Sequence, residues 1–207
     1  MSNDKAVVER LDLHCWKEMM NKGTIHSVSG LSQMLGKEIN ITSFNLRPFS
    51  AEDACALVGG PETPMVGIYL AIGQGASGHI LILYPPKVAF ELIDMLMGRE
   101  PGSTQNLGEM EESVLAEIGN VAGSYFLNSI SDDTGIRLLP TPPQVMVGMT
   151  GAIMGDALED ILGKDFAEDI FVIEGMFGSS DREVRGVLIV LPSPDLIETV
   201  KKHSNGK

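Results

Sequence analysis

Basic residues are scarce in this chain: 15 Lys and Arg stand against 28 Asp and Glu among 207 residues, giving a formal net charge of −13 and an isoelectric point near 4.6. Nucleic acids and anionic membrane surfaces are held non-specifically by clustered cations that neutralise phosphates, so neither is an expected partner. Long apolar runs are missing too. Stretches such as "GVLIVLP" and "GHILILYP" span six to eight residues, against the roughly 20 that a membrane helix requires, and no transmembrane segment is expected. The N-terminal "MSNDKAVVERLDLHCW" meets charges before any apolar core of a secretory signal could form. Cysteine is limited to Cys15 and Cys55, which suits a reducing compartment better than a disulfide framework. The expected location is the cytoplasm. Hydrophobic residues make up 43% of the chain, enough for one sizeable core.

The usual nucleophile and metal patterns are also lacking. No G-x-S-x-G elbow is present, Cys15 lies among apolar neighbours, and no Ser/His/Asp or Cys/His arrangement is suggested. His14 and Glu18 stand four apart, a spacing that can bring two ligands to one helix face. No third ligand is signalled, however, the other histidines fall at 26, 79 and 203, and no C-x-x-C occurs. Exposed helix polarity explains the pair better, and no metal site is expected. "GQGASG" (73–78) matches the dinucleotide fingerprint in letters but runs into the strand "HILILYP", whereas that fingerprint works by opening a helix. It reads as a hairpin turn.

What is present is an internal duplication. "PMVGIYLAI" (64–72) with "GHILILYP", and "DIFVIEGMF" (169–177) with "GVLIVLP", each read as a β-hairpin. Each hairpin is followed by a helical pattern with Pro near its first turn, "PKVAFELIDMLMG" and "PDLIETVKKH". Upstream of each lies a long helix, an isolated strand ("EINITSFNL" and "GIRLLPTPPQVMV") and a short helix ("SAEDACALV" and "GAIMGDALEDILG"). "GREPGSTQNLG" (98–108) links the halves. The expected class is α+β: residues 1–207 form one domain of two repeats, about 8–98 and 109–204, sharing one mainly antiparallel six-stranded sheet about a pseudo-twofold axis, with the long helices packed on it.

"EIGNVAGSYFLNS" (117–129) carries the most specific signal. On a helix advancing about 100° per residue, Val114, Leu115, Ile118, Val121, Ala122, Tyr125 and Phe126 fill one apolar arc, and Ser113, Glu117, Asn120, Ser124 and Asn128 line a polar stripe beside it. Glu117 and Asn120 should then lie one turn apart and face solvent. Gly119 and Gly123, each costing about 1 kcal/mol in a helix interior, imply close approach of another backbone, most simply a neighbouring helix. The first half repeats the pair as Glu18 and Asn21 in "KEMMNKG".

Ser113, Glu117 and Asn120, in the order Asp/Ser-x-x-x-Glu-x-x-Asn with Pro143 following Asn120 by 23 positions, resemble the signature of the CheC/CheX/FliY phosphatases of chemotaxis. "GNVAGSYF" and "SGHILILYP" are similar as well, and the likeness runs from about Leu11 to Leu191. Its tandem form is more like CheC than the single-site CheX, and the chain leaves no room for the extra flagellar-switch domain of FliY. The first half departs from the pattern: His14 takes the Asp/Ser position, Phe44 the proline position, "NKGTI" replaces the small-residue run, and Lys22 stands where Val121 lies in the second half.

The resemblance implies hydrolysis of the aspartyl phosphate of a CheY-type response regulator. Asn120 would position the water, Glu117 would pair with the regulator's active-site lysine, and Ser113 and Pro143 would support them, with Glu18 and Asn21 forming a weaker, specialised or inactive first site. It implies no cofactor of the chain's own, the Mg²⁺ coming with the regulator. It also implies a second partner, the deamidase CheD, bound through the short helix 151–163, with Gly155 and Asp156 as candidate contacts. A different class stays open: a non-catalytic adaptor that binds a receiver domain or a CheD-like deamidase.

Overall fold

The computed structural model describes residues 3–49, 55–74, 78–155, 170–179, 186–193, 196 and 202, and for 3–17, 41–49 and 170–179 it describes the backbone alone. Among the described residues, three helices and seven strands follow in the order α1 (Asn3–Leu35), β1 (Ile39–Phe49), β2 (Pro64–Gly73), β3 (Gly78–Tyr84), α2 (Pro86–Leu96), α3 (Glu109–Thr134), β4 (Leu139–Pro140), β5 (Gln144–Met149), β6 (Ile170–Ser179) and β7 (Val187–Pro192).

Each boundary has a local cause. Pro86 opens α2, where a missing N–H costs nothing. At the start of α3, Glu111 Oε2 reaches back to accept the Gly108 N–H at 3.1 Å, and Glu109, Glu111 and Glu112 place negative charge at the positive end of the helix dipole. Gly135 ends that helix in the left-handed region, φ 71°, donating its N–H to the Ser131 carbonyl at 2.7 Å. After β2, Gln74 takes φ 64°, and β2 and β3 pair antiparallel from Val66–Tyr84 to Ile72–Gly78. The hairpin reading of "GQGASG" therefore holds.

The halves interlock through their strands. The isolated strand β1 of the first half pairs antiparallel with β6 of the second, β5 of the second half pairs with β2 of the first, and β3 of the first pairs antiparallel with β7 of the second. The mixed helix and antiparallel-sheet architecture is as expected, but one six-stranded sheet is not what the pairing gives. Among the described residues, hydrogen bonding forms a two-stranded sheet, β1–β6, and a five-stranded sheet in which β2 carries β4 and β5 on one side and β3 on the other, followed by β7. The expected single strand "GIRLLPTPPQVMV" is also divided, into β4 and β5. Its two adjacent prolines, Pro142 and Pro143, have no N–H to give a ladder, and Thr141 bridges the gap by donating its N–H to Ala71 O (2.8 Å) and accepting the Ala71 N–H on Oγ1 (3.0 Å).

Both faces of the β2–β3 hairpin are covered, which explains its near-continuous apolar sequence. On one face, Val66, Ile68, Leu70, Ile80 and Ile82 pack under Leu115, Ile118, Ala122 and Phe126 of α3 and Met20, Val28 and Leu31 of α1. On the other, Met65, Tyr69, Leu81 and Leu83 meet Cys55, Ile153 and Met154 from the helical turns at 55–57 and 150–155.

The segment between α2 and α3 is tied down by one buried carboxylate. Asp94 Oδ2 accepts the N–H groups of Gly102 (2.7 Å) and Ser103 (3.0 Å), and Oδ1 accepts the N–H (3.0 Å) and hydroxyl (2.6 Å) of Thr104. Arg99 then joins Thr104 Oγ1 (3.1 Å) to Glu111 Oε1 (2.8 Å) at the foot of α3. Burial would raise the Asp94 carboxyl, but these hydrogen bonds outweigh it and hold the group below the usual carboxylate range. A lowered folded-state value stabilises the fold above the pH at which an unfolded carboxyl ionises, about 4, and that contribution disappears as pH falls through the folded-state value. Asp94→Ala is expected to cost about 2 kcal/mol at neutral pH, because the buried Thr104 donors lose their acceptor while Gly102 and Ser103 can turn to water. Urea melts at pH 7 and pH 3 check this: the gap between wild type and variant should narrow at the lower pH.

Candidate functional site

Helix α3 is seated on the sheet through its two interior glycines. A Cβ at position 119 would stand 2.3 Å from Ile68 Cγ2 and 3.5 Å from Pro143 Cβ, and one at position 123 would stand 3.2 Å from Leu70 Cδ2. The close approach is therefore to side chains of β2 and to the Pro142–Pro143 turn, not to a neighbouring helix backbone as the sequence suggested. The helix–helix contact uses glycines of the other partner. Gly23 and Gly30 of α1 lie against the rings of Phe126 and Tyr125, each with a prospective Cβ 2.8 Å away. Of the expected apolar arc, Leu115, Ile118, Ala122 and Phe126 are buried, Val114 and Val121 half-buried, and Tyr125 stays 39% exposed at the margin.

This seating fixes where the polar stripe points. Asn120 lies about 100° round the helix from Gly119, on the side away from Tyr125 and Phe126, and Ser113 and Glu117 follow within about 60° of it. Ser113, Glu117 and Asn120 are all exposed, and Ser124 is half-buried. The side chains of Glu117 and Asn120 make no hydrogen bond or ion pair among the described residues, while one turn of helix separates them. Pro143 is half-buried behind Asn120, against the backbone of Gly119, so its contact is with the helix that carries the pair.

The first-half pair is placed separately. Glu18 and Asn21 are exposed on α1, and Asn21 lies about 200° round that helix from Gly23, which faces α3. The two pairs thus look outward from different helices. Lys22, next to Asn21, forms an ion pair with Asp133 near the end of α3, which explains a lysine at the position matching Val121. Ile25, one turn beyond Asn21, is 48% exposed where the second helix has Ser124. The side chains of His14 and Phe44 are outside the described set. Among the described residues, no group of three or more His, Cys, Asp and Glu could hold a metal ion, and no helix is long and apolar enough to cross a membrane.

The helical turn 150–155 is anchored where Thr150 gives both its N–H and its hydroxyl to Thr63 O, each at 2.9 Å. Ile153 and Met154 are buried beneath it, Ala152 is exposed, and among the described residues no atom lies within 4 Å of the position a Cβ would take at Gly155. Asp156 and the remainder of 151–163 lie outside the described residues. Sequence reasoning missed the apolar surface beside α3: Met110, Val147 and Met149 are 61%, 63% and 51% exposed. The alternation Val145, Val147, Met149 was its available signal.

Comparison with known proteins finds similarity to CheC-like proteins. A model of the CheC-like family matches residues 110–147, the segment holding Ser113, Glu117, Asn120 and Pro143. The CheY-P phosphatase CheC of Bacillus subtilis is 27% identical over 194 residues, 92% of this chain and 91% of that protein. Among solved structures, FliY of Thermotoga maritima superposes with a TM-score of 0.69 at 18% identity, covering 95% of this chain and 96% of its own. FliM of H. pylori, solved with SpeE, gives 0.60 at 13% identity, covering 93% and 96%. The resemblance to the CheC-like family carried by the residues of α3 and its proline therefore holds in a family model, in a curated sequence and in solved structures.

Proposed function

We propose that this chain is a phosphatase for the aspartyl phosphate of a CheY-type response regulator, working through Asn120 and Glu117 with Ser113 and Pro143 in support. The observation that carries the reading is the pair itself: a carboxylate and a carboxamide, exposed one turn apart with no internal side-chain partner among the described residues, on a helix seated against the sheet by Gly119. The similarity to CheC of Bacillus subtilis, named a CheY-P phosphatase, supports it.

Hydrolysis of an acyl phosphate asks mainly for alignment and charge stabilisation. An attacking water forms the new O–P bond, the bond to the aspartyl oxygen breaks, and inorganic phosphate and a free carboxylate result. A carboxamide is too weak a base to take the water's proton, but it offers a donor and an acceptor and can hold that water in line. Glu117 pairs with the regulator's lysine and registers the helix on the pocket. Mg²⁺ belongs to the regulator in this reading, so the site is assembled between two proteins. Glu18 and Asn21 form a second, weaker site.

The same reading takes the chain as one domain of two repeats. Aligning the hairpins on Pro85 and Pro192 makes Leu81 equivalent to Leu188 and Ile82 to Ile189. The observed pairs Leu81–Ile189 and Ile82–Leu188 would exchange under a twofold axis between them. CheD binding through 151–163 is proposed at Gly155, where no atom of the described residues would crowd a Cβ, and a pull-down with CheD tests it. The composition suits the cytoplasm.

A phosphate-release time course with a phosphorylated CheY-type receiver tests the main proposal. Acceleration over the receiver's own rate is expected. A stable complex that never turns over would instead identify an adaptor, a reading favoured by the fold likeness to FliM.

A further inference from the structure

The geometry points to an apolar docking strip for the phosphorylated receiver, made by Val147 and Met149 of the edge strand β5 with Met110 of α3, flanking the Glu117–Asn120 pair. This inference rests on the proposed function and deepens it by naming what holds the partner.

Cross-strand partners share a face of a sheet. Val145, Val147 and Met149 stand opposite Ile68, Val66 and Pro64. Val66 and Ile68 belong to the core beneath the long helices, and Val145 packs against that core. Val147 and Met149 therefore emerge on the face that carries α3, yet remain 63% and 51% exposed.

Their position along α3 follows from the glycines. Gly123 sits over Leu70 and Gly119 over Ile68. Four helical residues rise about 6 Å and two strand residues about 6.8 Å, so the helix and β2 advance together. Continuing toward the N-terminus, residue 115 comes over Val66 and residue 111 over Pro64. Val147 and Met149 thus lie beside the turns holding Ser113 and Glu117.

The lateral direction agrees. α1 contacts β1 and β6, and α3 contacts β2, β4 and β5, so β5 is on the side of α3 away from α1, where Asn120 points. Met110, 61% exposed, is two turns before Glu117 on the same stripe. The acid and the amide therefore have three exposed apolar side chains beside them, toward the N-terminus of α3.

Charge says why a receiver needs such a strip. A chain of net charge −13 gains no long-range attraction for a phosphorylated, anionic partner. Contact energy has to come from burying apolar area close to the pair. A strip on the far face of the sheet could not serve, because the partner must at the same time admit Asn120 to its phosphoryl group.

The test measures affinity and turnover separately, using a CheY-type receiver activated with beryllofluoride for binding and the phosphorylated receiver for hydrolysis. Val147→Thr/Met149→Gln is expected to weaken binding about tenfold, with little change on adding salt. Val147→Ile/Met149→Leu should keep wild-type affinity, and both variants should melt with the parent, since the changed atoms face solvent. Wild-type affinity in the polar variant overturns the inference, whatever the turnover. So does a polar variant that dissociates a wild-type dimer in sedimentation while binding the receiver normally, since the strip would then join two copies. Absence of binding by any version overturns both readings. Receiver binding that depends on the strip, but without hydrolysis, upholds the strip and removes only the phosphatase.

Discussion

Alanine at position 120 is expected to lower the maximal rate of receiver dephosphorylation by a factor on the order of 10²–10³, about 2.7–4 kcal/mol, by analogy with loss of one transition-state donor. The loss should appear in kcat and leave KM nearly unchanged. A group that holds the water contributes when that water attacks, and the apolar strip and Glu117 still bind the receiver. Stability should be unaffected, since Asn120 is exposed and its side chain makes no hydrogen bond among the described residues. Asn21→Ala should do less. Its surroundings depart from those of Asn120: Lys22 is engaged by Asp133, and Ile25 replaces the polar Ser124. Phosphate release measured at saturating receiver separates the cases. If the Asn21→Ala/Asn120→Ala double variant hydrolyses as fast as wild type, water positioning by these amides is refuted.

How much of this was legible follows from what each residue responds to. The 3.6-residue pattern of 113–128 depends only on which helix side is buried, and the exposed stripe of Ser113, Glu117 and Asn120 came out as read. The β2–β3 hairpin was legible for the same reason, as two apolar runs bounded by turn residues, whereas among the described residues β6 pairs with β1 and β7 with β3. What the glycines face was not. Gly119 and Gly123 report close approach, but whether to a helix or to the Ile68 side chain depends on long-range placement that periodicity does not encode. The break at Pro142–Pro143 carries a local signal, missing donors, which the likeness of this stretch to the first-half strand masks. Pairing across halves, β1 with β6 and β5 with β2, is likewise a tertiary fact. The strip at Val147 and Met149 needed that pairing before its face could be assigned.

Gly119→Ala should be the most damaging single-methyl change in the site. Helix propensity alone favours alanine by about 1 kcal/mol, so a glycine that mattered only as a helix defect would give a more stable variant. The structure predicts the opposite sign. The added Cβ would meet Ile68 Cγ2 at 2.3 Å, and Ile68 cannot move aside cheaply. It is fully buried, stiff about χ1 as a β-branched residue, and paired on both sides, with Ile82 and Val145. Overpacking of this kind costs about 1–3 kcal/mol. Because the clash is severe, a net loss of about 2 kcal/mol after the propensity gain is expected, lowering Tm by about 4–8 °C. The helix can relieve the contact only by lifting from the sheet, which carries Asn120 away from its line of approach. A misplacement near 1 Å is enough for a loss of about 10²-fold in turnover. Gly123→Ala is the control: its Cβ would meet the flexible tip of Leu70 at 3.2 Å, so stability should change little. Ile68→Leu removes the offending branch and should recover most of what Gly119→Ala loses. Non-additivity in that double variant, measured by thermal melts and phosphate release together, distinguishes a seat between two surfaces from a locally weak helix. A Gly119→Ala protein more stable than wild type, with Ile68→Leu no help to it, would mean that α3 does not rest on β2 as described.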